Sequence, residues 1–312
     1  MLPAMMRVTG AIGLVLLALL ASALAYAAWA ASHNGYVGVG TNFTQSPLRK
    51  NPPARLAAPV TLRMATFNVQ ALWLVGQNRP ARMRAIAEYL GPLDPDIVGF
   101  QECFVPADRE LLISGLKRHT RLQHHQYYPS GHAGSGVLIS SAHPIQEAWF
   151  HRYQAIAPAW KVWEGDGMAG KGVGLARIEL PNGAGFVDFF NTHAQAGYGN
   201  PDYKIVRKAE MAEAAEFVNA ARCGTVPAFL TGDLNCRPAE PEHATLVQGA
   251  NLERVMNVAS SIDHIYAARD PRYQFNVIES REIPKIVQRD GKPFELSDHN
   301  GYFTVVRVTP VT

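Results

Sequence analysis

The feature that most constrains the fold is a series of short, strand-like apolar runs, each of which stops at a small group of polar residues. Thr61 to Phe67 is a β-rich run that ends at Asn68. Asp96-Ile97-Val98-Gly99-Phe100 is a compact run typical of a buried strand, and it delivers Gln101-Glu102 at its carboxyl end. Further runs cover Gly136 to Ser140, Val173 to Leu180, Phe186 to Thr192, Ala228 to Gly232, Ile262 to Ala267 and Tyr302 to Val308. Helical spacing is confined to Pro80 to Leu90, with Pro in the first turn, and to Tyr203 to Ala221, where Ile205, Ala209, Ala212 and Phe217 offer one apolar face. Strands outnumber helices and many are bounded by short turns. That pattern predicts an α/β protein with two packed mixed sheets flanked by helices, rather than one parallel sheet.

The chain has 312 residues, 47% of them hydrophobic, which suffices for one large domain and leaves little for a second. A formal charge of +3 selects no partner, so a nucleic-acid surface would need local clustering of Lys and Arg. Cys103, Cys223 and Cys236 have no zinc spacing and make no disulfide scaffold; Cys103 reads as a small buried hydrophobe. Val8 to Ala31 is an uncharged, mostly apolar run preceded only by Arg7, long enough to span a bilayer as a helix. It reads as a retained anchor or as a signal cleaved at Ala23-Leu24-Ala25, and either puts the remainder outside the cytoplasm. The expected organisation is therefore a signal or anchor over residues 1–31, an exposed tether over 32–59 that includes Asn51-Pro52-Pro53, and a catalytic domain over 60–312.

Five strand-end clusters carry the chemistry: Phe67-Asn68, Gln101-Glu102, Asn191-Thr192-His193, Gly232-Asp233-Leu234-Asn235 and Ser297-Asp298-His299. Singly, a strand-end Asn or Asp is more often a turn former than a ligand. Their order over residues 60–308 resembles the endonuclease/exonuclease/phosphatase superfamily. The resemblance implies the four-layer α/β sandwich of DNase-like proteins and a metal-dependent phosphoesterase.

In that reading, Glu102 and Asn68 supply hard oxygen ligands to Mg²⁺, Mn²⁺ or another hard divalent cation, and Asp298 joins them directly or through water. His299 is the general base, because imidazole titrates nearest neutrality, and Asp263 of Ser261-Ile262-Asp263-His264-Ile265 is its orienter. Asp233 positions the attacking water. Asn235 and His193 donate hydrogen bonds to the phosphoryl oxygens, and a protonated His193 would assist the leaving oxygen. His264 and His124-His125 are assigned no role.

Substrate class is read between these motifs. Gly134-Ser135-Gly136, followed by Ser141-Ala142-His143-Pro144-Ile145, resembles the neutral sphingomyelinase and phospholipase-C-like branch. Asp166 and Lys171 in the glycine-rich segment Asp166 to Gly174 resemble the Asp/Lys switch of membrane-associated neutral sphingomyelinases, and His193-Ala194-Gln195-Ala196 is close to the bacterial sphingomyelinase pattern. It is no P-loop, since the spacer and the residue after Lys171 are wrong. Trp149, Trp160 and Trp163, interspersed with Arg152 and Lys161, suit either a membrane boundary or ordinary packing. The expected substrate is sphingomyelin or a related phospholipid in a membrane, with no cofactor beyond the metal and no protein partner. A secreted or membrane-tethered endonuclease, for which nucleic acid is the partner, is the alternative; an inactive membrane-tethered binding module is a third reading.

Overall fold

A computed structural model describes residues 12–26, 38–73, 76–157 and 166–311. Its helices are α1 (residues 12–26), α2 (Pro47–Lys50), α3 (Arg79–Leu90), α4 (Pro106–His119), α5 (Tyr203–Ala221) and α6 (Pro241–Gly249). The strands are β1 (Val60–Ala71), β2 (Ile97–Cys103), β3 (His124–Tyr127), β4 (Leu138–Ser141), β5 (Ile145–Arg152), β6 (Gly172–Leu180) and β7 (Gly185–His193). They continue with β8 (Ala228–Asp233), β9 (Leu252–Arg254), β10 (Asp263–Ala268), β11 (Tyr273–Ile283), β12 (Ile286–Arg289), β13 (Lys292–Glu295) and β14 (Gly301–Pro310).

Two six-stranded sheets, ordered β11-β14-β1-β2-β4-β3 and β5-β6-β7-β8-β10-β9, form the frame, and β12-β13 is a separate hairpin. Each sheet has one parallel pair at its centre, β1 with β2 and β7 with β8, among antiparallel neighbours. The strands alternate in what they bury, because successive side chains point to opposite faces. From β1, Leu62 and Met64 enter the inter-sheet core with Ile97, Phe189 and Phe229, while Ala65, Phe67 and Val69 pack outward against Met83, Ile86 and Leu112 of α3 and α4. On the other side, Phe190 and Leu230 pack against Met211, Val218 and Leu246 of α5 and α6. The four-layer sandwich expected from the sequence is the observed architecture. Cys103, Cys223 and Cys236 are buried and unpaired.

Residues 38–59, expected as an exposed tether, are instead held against the domain. Ser46 is buried and donates to Glu147 Oε2 at 2.5 Å, Leu56 enters the inter-sheet core, and Phe43 meets Phe217 edge to face. Composition without apolar period concealed this, since the contacts are made by isolated residues. The apolar run expected to span a bilayer extends beyond the described residues at both ends; within them, α1 leaves Leu14, Leu16, Leu17 and Leu20 exposed. No helix among the described residues is long and apolar enough to cross a membrane.

Candidate active site

The two-residue period that fills the inter-sheet core also builds the site. Continuing the parity of Met64, Phe189, Phe229 and Ile265 to the strand ends turns Asn68, His193, Asp233 and Asp263 into the gap between the sheets. Register then sets them side by side: His193 lies opposite Asp233 in the parallel pair, and Asp263 lies opposite Asp233 in the antiparallel one. Glu102 has the parity of the outer face. Its left-handed φ of 59° breaks the alternation there, and its carboxylate meets Asn68.

Asn68 is fully buried, and its Nδ2 donates to Glu102 Oε1 and to Asp233 Oδ2, both at 3.0 Å. Its Oδ1 accepts from Gln70 N, so the amide turns nitrogen toward the carboxylates and oxygen toward its own backbone turn. Burial pushes the Glu102 carboxyl up to about 7, with the charges of Asp233 and Asp298 adding and the Asn68 hydrogen bond opposing. Glu102 Oε2 is buried without a hydrogen-bond partner. One ligand atom each from Glu102, His193 and Asp233 lies within 4.8 Å of the others, as do those of Asp233, Asp263 and His299. An orphaned carboxylate oxygen among converging carboxylates fits a hard divalent cation, which would supply the missing partner and oppose the upward push on Glu102. Asp298 stands exposed at the rim, outside both groups of converging atoms.

Across the gap, His299 Nδ1 lies 3.0 Å from Asp263 Oδ2 and 3.7 Å from Asp233 Oδ2. Burial works against the imidazolium, yet the Asp263 hydrogen bond and the charges of Asp233, Asp263 and Asp298 outweigh it and lift the ring to about 10. Burial and the Asp233 charge push the Asp263 carboxyl upward, against the His299 hydrogen bond. His193 goes the other way: burial, Lys171 and His299 hold it well below the ordinary imidazole value. That works against the protonated His193 expected at the leaving oxygen. Its Nε2 is 3.6 Å from Asp233 Oδ2 and 3.9 Å from Glu102 Oε1. Asn235 N donates to Asp233 Oδ1 at 2.9 Å, while its Nδ2 donates to Ala194 O at 3.0 Å.

Lys171 and Asp166 reach the same site. The buried ammonium donates to Asp166 Oδ2 at 2.8 Å and to Ala194 O at 2.7 Å, and it stands 3.4 Å from His193 Nε2. The profile of the Endonuclease/Exonuclease/phosphatase family matches residues 65–299, the span that contains every one of these side chains.

The chain belongs to the endonuclease/exonuclease/phosphatase family. It is 33% identical over 273 residues to a putative neutral sphingomyelinase of Drosophila melanogaster, covering 79% of this chain and 61% of that protein. It is 30% identical over 185 residues to sphingomyelin phosphodiesterase 2 of Homo sapiens, covering 58% and 43% respectively. The chain thus spans about half the length of such curated relatives. The fold matches that of a Staphylococcus aureus beta toxin variant solved with bound magnesium ions, at a TM-score of 0.60 and 19% identity, over 80% of this chain and 99% of that one.

This family member also uses residues of the same motifs to which the sequence assigned no role. Asn191 of β7 crosses between the sheets to donate to Phe100 O at 2.9 Å and Leu138 O at 3.1 Å, and Gln101 Nε2 donates to Asn191 Oδ1 at 2.7 Å. Ser297 donates to Asn68 O at 2.6 Å, tying the last motif to the first. Of the face expected for α5, Phe217 is buried, but Ile205 and Ala209 are exposed, and Arg207 and Glu210 are buried with Met211 and Ala214. His264 is buried behind Asp263, its Nε2 3.0 Å from Cys236 O, and His125 sits on β3 beside Ser140. Trp149 is half-buried on β5 and donates to Glu147 Oε2 at 3.2 Å, which favours packing over a membrane boundary; Trp160 and Trp163 lie outside the described residues.

Proposed function

We propose that this chain is a divalent-cation-dependent phosphodiesterase of the sphingomyelinase type, a phospholipase C that releases the phosphorylated headgroup of sphingomyelin or a related phospholipid. The observation that carries the reading is the orphaned Glu102 oxygen among converging carboxylates, joined through Asp233 to the Asp263–His299 pair. The relatives named as sphingomyelinases support the substrate class.

His299, in the neutral form that a bound cation opposing the carboxylate charges would favour, takes the proton of an attacking water, with Asp263 fixing the ring through Nδ1 and stabilising the positive charge that results. Asp233 orients that water. His193, Asn235 and Lys171 supply donors to the charge that grows on the phosphoryl oxygens, a role that their grouping around Ala194 and Asp233 supports. Glu102 and Asp233 would hold the cation, which supplies charge neutralisation at the phosphate. Asn68, expected as an oxygen ligand, instead turns its amide nitrogen to both carboxylates and orients them, and Asp298, at the rim, reaches the cation only through water. Lys171 is held by Asp166, so lipid engagement that loosens this pair would free the ammonium for the substrate. The exposed leucines of α1 support residence at a lipid surface.

Headgroup release from sphingomyelin vesicles in Mg²⁺, beside nicking of plasmid DNA, tests the reading. Cation-dependent lipid cleavage that disappears in His299→Ala is the expected result. DNA nicking without lipid cleavage selects an endonuclease instead, and no turnover of either selects a binding module. Lys171→Ala is expected to depress lipid turnover; unchanged turnover rejects the switch.

A further inference from the structure

Three residues after His193 are tied down at every backbone polar group. Ala194 N donates to Asp233 O at 2.9 Å, and Ala194 O accepts from Lys171 Nζ and Asn235 Nδ2. Gln195 N donates to Glu210 Oε2 at 2.7 Å, and Gln195 O accepts from Arg207 Nη1 at 3.2 Å. Ala196 N donates to Asp166 Oδ2 at 2.8 Å, and Ala196 O accepts from the Gln195 side chain at 3.0 Å. Arg207 is braced in turn by Glu242 of α6 at 3.1 Å. Arg207 and Glu210 are three apart on one helix face, so the two groups of Gln195 are gripped by adjacent side chains.

Glu210, Arg207 and Glu242 are at most 4% exposed. Burying such polar and ionisable groups is expensive, and well-packed apolar residues usually give equal or greater stability. A helix that turns Arg and Glu inward while leaving Ile205 72% exposed has therefore been shaped by a requirement other than core packing. The segment it holds supplies the Ala194 carbonyl on which Lys171 and Asn235 both rest, and Lys171 stands 3.4 Å from His193.

We propose that Glu210 and Arg207 are positioning residues for the phosphodiesterase site, a clamp on Gln195 that sets the distances among His193, Lys171 and Asn235. This rests on the proposed hydrolytic function. The clamp acts on donors that meet charge developing during reaction, so its loss falls on turnover rather than on substrate affinity.

The test measures kcat and KM on a soluble diester, bis(p-nitrophenyl) phosphate with Mg²⁺, together with hydrogen exchange at the Gln195 and Ala196 amides. Glu210→Ala is expected to lower kcat about 10- to 100-fold with KM nearly unchanged, as lost supporting hydrogen bonds do. It also speeds exchange at Gln195 while distant core amides stay protected. Glu210→Gln retains an acceptor oxygen and is expected to restore most of kcat and the protection. Arg207→Lys, which keeps charge but loses the fork between Gln195 O and Glu242, lowers kcat as well and serves if the Ala variant does not fold. Unchanged exchange in these variants, or faster exchange with undiminished kcat, overturns the clamp. A wild-type protein that turns over neither this diester nor lipid rejects the hydrolytic reading separately, and the exchange comparison still decides whether Glu210 holds the loop.

Discussion

Asp263 and His299 meet across 3.0 Å although they belong to different sheets, Asp263 at the head of β10 and His299 just before β14. The contact fixes which ring nitrogen is occupied, leaving Nε2 as the nitrogen for proton transfer. Asp263→Asn is expected to lower kcat by about 10²- to 10⁴-fold, the range of a lost acid–base function. It also removes a charge that lifts His299, so the ring should titrate at lower pH than in wild type. NMR titration of the ring protons checks this, and an unmoved midpoint would contradict the pairing.

Glu102 should make the domain sensitive to cations. At pH 8, above its raised value of about 7, the cation-free protein carries a buried ionised carboxylate beside Asp233. Divalent cation is expected to stabilise the wild type by about 2.7 kcal/mol when present at 100 times its dissociation constant, and so to raise its melting temperature. Glu102→Gln should melt higher than wild type in chelator and respond weakly to Mg²⁺. Equal responses of the two proteins would place the cation elsewhere.

How legible the site was in the sequence depended on the kind of residue. Asn68, His193 and Asp233 were readable because each ends an apolar run, and a buried strand fixes where its terminal side chains go. Glu102 was readable by its place but not its direction, and His299 by its place just before the run of β14. Helix α5 was readable in extent but not in orientation. Arg207 and Glu210 look like solvated charges on an amphipathic helix, and nothing local in the sequence tells a backbone clamp from a surface ion pair. Strands β11 to β13 escaped for a related reason: Gln274, Arg281, Arg289 and Lys292 are polar residues on partly exposed edges, where alternation between apolar and polar is weak. Helix α4 packs Leu112 and Leu116 but begins with Pro106-Ala107-Asp108-Arg109-Glu110, whose polar character obscures the apolar spacing.

Gly99 of β2 faces Thr231 and Asn191 of the opposite sheet, beneath the site. A Cβ there would overlap Thr231 Oγ1 and lie 2.7 Å from Asn191 Oδ1, which also accepts from Gln101. Gly99→Ala should therefore push the sheets apart locally and cost about 1–3 kcal/mol, as overpacking of a filled core does. Urea unfolding checks it through a lower midpoint with the slope unchanged. A midpoint equal to wild type would mean that the inter-sheet bridge yields without cost.

Glu210 gives the fold a pH dependence opposite to that of a surface carboxylate. Burial raises it from 4.5 to about 8, with the Lys171 charge and the Gln195 N–H opposing. Between these values the folded protein keeps a proton that the unfolded chain has released. Its favourable contribution is thus complete below about pH 4.5 and is lost as pH rises through about 8. Stability measured by urea unfolding should decline across that window by up to one proton's worth of slope, about 1.4 kcal/mol per pH unit. Glu210→Gln cannot release a proton, so this component of the slope should vanish while the other groups titrate as before. If the two proteins show parallel stability curves from pH 5 to pH 8, Glu210 is ionised throughout and the Lys171 ammonium offsets its burial in full.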